Sequence, residues 1–376
     1  MKESPLELRS SLFVCRRWHA TIVNDPTLWA TITLNSRICA HLVARLPQGG
    51  SQNTKIARIL SFYDACIRRS RLVLLKITLD LESFSVWDDT HVLRTNLNHL
   101  LILFVTKIGK HATRWKEFIW KHHDTFFSAR SILKCLPQGI PSLRRLAITQ
   151  LRWCKEYLEG VYFPNCPNIQ SLSLIEIWDD SDGQASTLFQ QSGFSSVQDL
   201  TLSKRWDWQS VDLRWMSMFR NIQTLTLFSF GQPTNGKRVV ASPICVTLPR
   251  LRLLRLRGWV PNSILSPIEP PDHLTVVLGA SDGTGGFSDS IDTLSGTMVA
   301  TKMTVLHLQW PEHAIKYVLL SSIFKLLHNA PCLEVVHLSP SAEVMLGHEF
   351  EEFKAKNNYS FSIYADGRRF LDEHYV

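Results

Sequence analysis

Few residues in this chain combine the types and spacing that a reaction needs. His122, His123 and Asp124 are consecutive, and at a strand end neighbouring imidazoles point to opposite faces, so they do not share a metal ion. Asp179, Asp180, Asp182 and Gly183 hint at a calcium loop. Their acidic spacing and the residue at the twelfth position both miss the pattern, which leaves a solvated turn. The Gly-rich stretch Gly279–Thr297 lacks the Gly-Lys-Ser/Thr ending of a phosphate cradle, and the next basic residue is Lys302. Cys154 and Cys166 have no second pair to complete a zinc site. No Gly-x-Ser-x-Gly elbow is present, and no cysteine stands in a recognisable nucleophile setting. The sequence thus names no catalytic residue, no metal ligand and no cofactor, and predicts a protein that is not an enzyme.

What remains is binding, and the residues for it come from a repeat. The apolar pattern Φ-x-x-Φ-x-Φ occurs at Leu72/Leu75/Ile77, Trp115/Phe118/Trp120, Leu143/Leu146/Ile148, Ile169/Leu172/Leu174 and Val197/Leu200/Leu202. It continues at Ile222/Leu225/Leu227, Leu251/Leu254/Leu256, Met303/Leu306/Leu308 and Leu333/Val336/Leu338, with a degenerate copy at His273/Val276/Leu278. From Trp115 onward the steps are 22–30 residues, room for one strand and one return segment. Several units open on a proline, as in IPSLRRLAI, CPNIQSLSL, LPRLRLLRL and APCLEVVHL. No unit can bury its apolar edge alone, so neighbours must stack. This resembles an irregular leucine-rich repeat without the asparagine that follows the strand in regular ones. The resemblance implies an α/β fold, a curved solenoid with a parallel sheet inside and helices and loops outside. A doubly wound α/β sheet is the alternative that the irregular spacing leaves open.

With the apolar positions pointing into the solenoid, the alternating positions face its inner curve. They read Lys76, Glu117, Lys121, Arg145 and Thr149, then Ser171, Ser173, Thr201, Ser203, Thr224 and Thr226, then Arg255, Arg257, His307 and His337. Any one of these alone reads as a solvated strand residue. As a set they predict a target-binding face formed by Lys76, Lys121, Arg145, Arg255, Arg257, His307 and His337. It is basic at its front, hydroxyl-rich in its middle and basic with two histidines at its back. An acidic or phosphorylated segment suits it, through bidentate pairing with Arg255 and Arg257.

The elements around this face follow from periodicity. Helices are predicted over Arg37–Leu46, Ile56–Arg69, residues 90–112 and the stretch after Pro340, with a last strand at YSFSIYAD. Gly279–Thr297, rich in Gly, Ser and Asp, reads as a flexible surface loop. The 376 residues are 45% hydrophobic, ample for burial, yet the longest apolar run, Leu100–Val105, is far short of a membrane span. No apolar signal core opens the chain, and the eight cysteines lack paired short spacings, so a reduced cytoplasmic or nuclear protein is expected. Residues 1–160 hold 24 Lys and Arg against 12 Asp and Glu. These charges are scattered singly, which argues against nucleic acid as the partner.

Ahead of the repeats, Val14, Cys15, Trp18 and Ile22 recur at helical spacing with Arg16, Arg17, His19 and Asn24 on the other side. Asn24-Asp25-Pro26 stops the helix, Leu28-Trp29 follows as an apolar latch, and ATITL reads as a short strand. The order Val-Cys-Arg-Arg-Trp, an aliphatic, an acidic-Pro turn and Leu-Trp resembles the C-terminal half of an F-box over roughly residues 4–34. The version is that of large families of fungal F-box proteins, whose linker region the following helix, LxLxITLDL, helix and RW strand also resemble. The resemblance implies a non-enzymatic substrate-recognition subunit of a cullin–RING (SCF-type) ubiquitin ligase. It implies a Skp-type adaptor and cullin core as partners, and a protein target, of unknown identity, held by the repeats. It implies adaptor contacts from Leu12, Val14, Cys15, Trp18, Leu28 and Trp29, some of which hold the small domain together instead. The Leu-Pro-x-Glu helix that opens an F-box is missing, since only MKESPLEL stands there. A truncated or degenerate F-box is therefore expected, one that binds the adaptor weakly or not at all. The competing expectation is a repeat-type interaction scaffold unattached to a ligase. The domain plan is an F-box-like segment at 1–34, a helical linker with the first strand at 35–112, and the repeat domain at 113–376.

Overall fold

The computed structural model describes residues 16–43, 52–81, 91–121, 129–149, 163–175, 194–204, 213–229, 245–258, 260, 262–279, 287–309, 320–357 and 359–365. The chain divides into two compact units, Met1–Ile175 with Gln184–Ser196, and Glu176–Gly183 with Val197–Val376.

The first unit begins with α1 (Arg16–Asn24), β1 (Thr31–Asn35), α2 (Ser36–Val43) and α3 (Gln52–Arg69). It continues through β2 (Leu75–Asp80), α4 (His91–Gly109), β3 (Trp115–Lys121), α5 (Ala129–Cys135), β4 (Arg145–Thr149) and β5 (Ser171–Ile175). Its strands are parallel and lie side by side in chain order, β1 to β5. The second unit repeats the plan. Its strands β6 (Asp199–Lys204), β7 (Thr224–Ser229), β9 (Leu253–Arg257), β11 (Leu274–Gly279), β12 (Met303–Gln309), β13 (Val335–Leu338) and β14 (Ser362–Ala365) are again parallel and in chain order. The short strands β8 (Val246–Thr247) and β10 (Ile268–Glu269) form a separate parallel pair. The helices of this unit are α6 (Asn262–Leu265), α7 (Phe287–Ser295), α8 (Met298–Lys302), α9 (Leu320–His328) and α10 (Pro340–Asn357). The α/β class is as the sequence predicts. A doubly wound sheet reverses its strand order at a switch point, and neither unit does so.

The prolines of the repeat explain how each strand begins. Ile140, Cys166, Leu248 and Ala330 each accept a backbone hydrogen bond from the residue three positions on, namely Leu143, Ile169, Leu251 and Leu333. Pro141, Pro167, Pro249 and Pro331 occupy the second position of these turns, where a fixed φ favours the geometry. Each turn drops its first apolar residue into the core (Leu143, Ile169 and Leu251 at 0% exposed). The next residues enter the ladder, as when Gln170 and Ser171 both donate to the carbonyl of Arg144. The second and third apolar positions stack across strands in register, Phe118 with Leu146 and Leu172, Trp120 with Ile148 and Leu174. All of these are buried, each worth roughly 1.5–3 kcal/mol against exposure.

One unit departs from the predicted phase, and another only at its first position. At β2 the laddered residues are Leu75, Ile77 and Leu79, opposite Trp115, Phe118 and Trp120, while Leu72 is 90% exposed. The extra residue of the longer spacing, Lys116, sits in a bulge of β3. Arg71 at φ 49° turns the chain here. The Arg114 guanidinium clamps that turn by donating to the carbonyls of Ile67 and Val73 and to Ser70 Oγ. At β11 the ladder runs through Leu274, Val276 and Leu278. His273, read as the first repeat position, is exposed at φ 68°.

Part of Gly279–Thr297, expected as a flexible loop, is helical. Residues 280–286 lie outside the described residues, but Phe287–Ser295 is helix α7. Phe287, Ile291 and Leu294 follow helical spacing, and the latter two are fully buried. Ser290 anchors it, donating to the Gly258 carbonyl and accepting from the Val260 amide. Among the described residues no helix is long and apolar enough to cross a membrane.

Candidate functional site

The F-box-like segment folds around Trp29. Asp25 caps the turn after α1, accepting from the amide and hydroxyl of Thr27, and this brings Trp29 back under the helix. Its indole is 1% exposed, donates to the Ile22 carbonyl at 2.6 Å, and lies beneath the Arg69 guanidinium of α3 at 4.5 Å. Trp29 therefore holds α1 to the start of β1. Leu28 beside it is half-buried. Trp18 sits in α1, its side chain outside the described set, and Leu12, Val14 and Cys15 lie outside the described residues altogether. So do His122, His123 and Asp124, Cys154, and the Asp179–Gly183 turn.

The alternating face of the first unit carries Lys76, Lys121 and Arg145. Register sets Lys76 opposite Glu117, and Glu117 opposite Arg145 and then Ser171. Lys76 Nζ is 3.3 Å from Glu117 Oε2. Lys121 stands opposite Asp80, which the sequence reading missed because it ended the β2 unit at Ile77. The expected basic front is thus a ladder of alternating charge. Opposite charges on neighbouring strands screen one another and leave little net attraction for a distant anion.

In the second unit, one row across the sheet reads Thr201, Thr226, Arg255, Val277, His307, His337 and Tyr364. The next row, toward the C-terminal ends of the strands, reads Ser203, Phe228, Arg257, Gly279 and Gln309. Register therefore gathers Arg255, Arg257, His307 and His337 on one face of one unit. The His307 and His337 rings stack at 4.3 Å and 5°, and Tyr364 continues the stack at 5.6 Å from His337. Of the hydroxyl-rich middle, Ser171, Ser173, Thr201 and Thr224 are half-buried, and Ser203 and Thr226 are covered. Ser203 is 0% exposed and Thr226 9%, and Val277 and Phe228 beside them are at 1%. Both faces of this sheet are covered at those positions, unlike the open inner curve expected. Gln309 holds the same position as Ser203 and Arg257 and was legible there, whereas Tyr364 stands on a last strand that the repeat period does not cover.

Three of the described thiols are core residues. Burial pushes Cys39, Cys66 and Cys166 up to about 12, so each stays a protonated apolar filler. The exposed Cys245 is raised by its partial burial and by Glu269, whose carboxylate accepts from its thiol at 3.4 Å. Among the described residues, no three His, Cys, Asp or Glu side chains stand close enough to hold a metal ion.

No protein-family model matches the chain, and no curated protein matches it.

Proposed function

We propose that this chain is the substrate-recognition subunit of an SCF-type ubiquitin ligase, acting in the cytoplasm or nucleus and performing no bond chemistry of its own. On this reading residues 16–34 are the C-terminal part of an F-box that docks on a Skp-type adaptor. The parallel, chain-ordered strands are an irregular leucine-rich-repeat solenoid that holds a protein target. Ubiquitin transfer is then a matter of proximity, a target lysine being kept near the charged E2 at high effective concentration.

The observation that carries this reading is the Trp29 latch running straight into β1. One helix, an Asp-Pro turn, a half-buried Leu28 and a buried Trp29 form a cap that is continuous with the edge strand of the sheet. Such a cap has no evident part in burying the repeats beyond β2, and docking gives it one.

The test is binding of a purified Skp-type adaptor to the full chain carrying a Leu-Pro-x-Glu helix fused ahead of Met1. The fusion is expected to bind, and Leu28→Glu, at a half-buried position, is expected to weaken binding at least tenfold, about 1.4 kcal/mol. The chain without the fused helix is expected to bind weakly, since much of the apolar docking area is then lacking. A folded fusion with no measurable affinity would overturn the ligase reading and leave the interaction scaffold.

A further inference from the structure

The turn between α3 and β2 holds two leucines out in solvent. Leu72 is 90% exposed and Leu74 37%, two of the five exposed large apolar side chains among the described residues. The turn that carries them is firmly built. The Ser70 amide donates to the Cys66 carbonyl and its hydroxyl to the Ile67 carbonyl, while the amides of Arg71 and Val73 donate to the carbonyls of Arg68 and Ser70. Arg71 takes a φ of 49°, and the Arg114 guanidinium reaches across from the start of β3 to the Val73 carbonyl and Ser70 Oγ. A lone exposed leucine needs no cause. Here the backbone is fixed by hydrogen bonds on both sides, and the pair is presented in one pose.

The charges around the pair have one sign. Arg68, Arg69 and Arg71 flank it in the chain and are exposed. Parallel pairing brings the starts of β3 and β4 to the same edge of the first unit, with Lys110, Lys116 and Arg144 exposed there. The acidic residues of this unit, among those described, are Asp25, Asp64, Asp80 and Glu117, and each is engaged. Asp25 accepts from Thr27, Asp64 lies 2.6 Å from Lys107 Nζ, Asp80 stands opposite Lys121, and Glu117 meets Lys76. The dipole at the end of α3 accounts for Arg68 and Arg69 by itself, but not for the leucines. We propose that the first unit rests by this edge on an anionic lipid surface. Leu72 and Leu74 enter the boundary between headgroups and acyl chains, and the surrounding cations meet the lipid phosphates and carboxylates. Two protruding leucines fall far below the roughly 800 Å² per partner that a specific protein interface buries, and a protein would have to offer a pocket shaped to them. A fluid lipid surface needs no such match, and there apolar burial and attraction to anionic lipids add. The proposal goes beyond the receptor reading and does not rest on it.

The experiment is co-sedimentation of the full chain with two kinds of vesicle, phosphatidylcholine alone and roughly three parts phosphatidylcholine to one of phosphatidylserine, an anionic cytoplasmic-leaflet lipid. The parent is expected to sediment with the anionic vesicles and not with the neutral ones, and to be released near 1 M salt, where screening acts over about 3 Å. Leu72→Ser, on an exposed side chain that folding does not need, is expected to weaken partitioning roughly tenfold, and Leu72→Phe to keep it. Arg68→Gln and Arg71→Gln are each expected to weaken it about fivefold, the worth of one cation at such a surface. Arg69 is left in place because it lies over Trp29. No sedimentation of the parent with anionic vesicles overturns the proposal, as does equal partitioning of Leu72→Ser and the parent, which would reduce the contact to charge alone. A parent that ignores vesicles but self-associates by light scattering, with Leu72→Ser monomeric, overturns it in favour of a second copy of the chain. Binding to polyglutamate but to neither vesicle overturns it in favour of an acidic protein. None of these results touches the adaptor assay, so the two readings fail separately.

Discussion

Replacing Trp29 by alanine removes the largest side chain that joins α1 to the first strand. A tryptophan buries roughly 150–250 Å², which at about 25 cal/mol per Å² is about 4–6 kcal/mol. Aromatic-to-alanine changes in cores cost about 3–5 kcal/mol, and with the indole only 1% exposed Trp29→Ala belongs in that range. Trp29→Phe keeps most of the area but loses the donor to the Ile22 carbonyl, so about 1–3 kcal/mol is expected. Arg69 over the ring adds about 0.5–1 kcal/mol. That last amount is the coupling energy a double-mutant cycle would return, Arg69→Ala costing stability only while Trp29 is present. Because the chain holds two compact units, the readout is local. Hydrogen exchange at the Lys76 amide, which donates to the Ala30 carbonyl, reports opening between β1 and β2. Exchange there should accelerate in the order Arg69→Ala, Trp29→Phe, Trp29→Ala. Protection unchanged in Trp29→Ala, or an Arg69→Ala effect that ignores Trp29, would refute the idea that the latch rests on this ring.

The phase at β2 is tested by a pair of substitutions. Leu72→Ser is expected to fall within about 0.5 kcal/mol of the parent because Leu72 is 90% exposed, whereas Leu75→Ala, at 0%, should cost about 2–5 kcal/mol by urea unfolding. Similar costs at the two positions would restore the phase read from sequence. The thiols sort by burial. Alkylation of the folded protein at pH 8, read by peptide mass spectrometry, should modify the exposed Cys332. It should spare Cys39, Cys66 and Cys166, whose values near 12 leave almost no thiolate. Labelling of Cys39 or Cys166 as fast as Cys332 would mean those cores open readily.

The repeat period alone determined that the chain is α/β, with one strand per unit and apolar residues at fixed spacing. Stacking leaves those positions no other place to go, and the Pro-led turns before Leu143, Ile169, Leu251 and Leu333 could be read directly. The helix at Ile56–Arg69, the strand at Thr31–Leu34 and the terminal strand were legible because each is amphipathic within its own few residues. The phase at β2 and the first position at β11 were not. Leu72 fits the pattern as well as Leu75 does, and only the Arg114 clamp on the turn at Arg71 decides which one enters the core. Helix α7 was hidden by the glycines and serines around it, since Ile291 and Leu294 become informative only once they find the core and α9 beside them. The candidate site lay furthest from the sequence. Lys76 and Lys121 read as free cations until register put Glu117 and Asp80 across from them. Arg257 and Gln309 are more than fifty positions apart, and only the pairing of β9, β11 and β12 sets them on either side of Gly279. Local spacing fixes which way a side chain points, and strand pairing decides what it meets there.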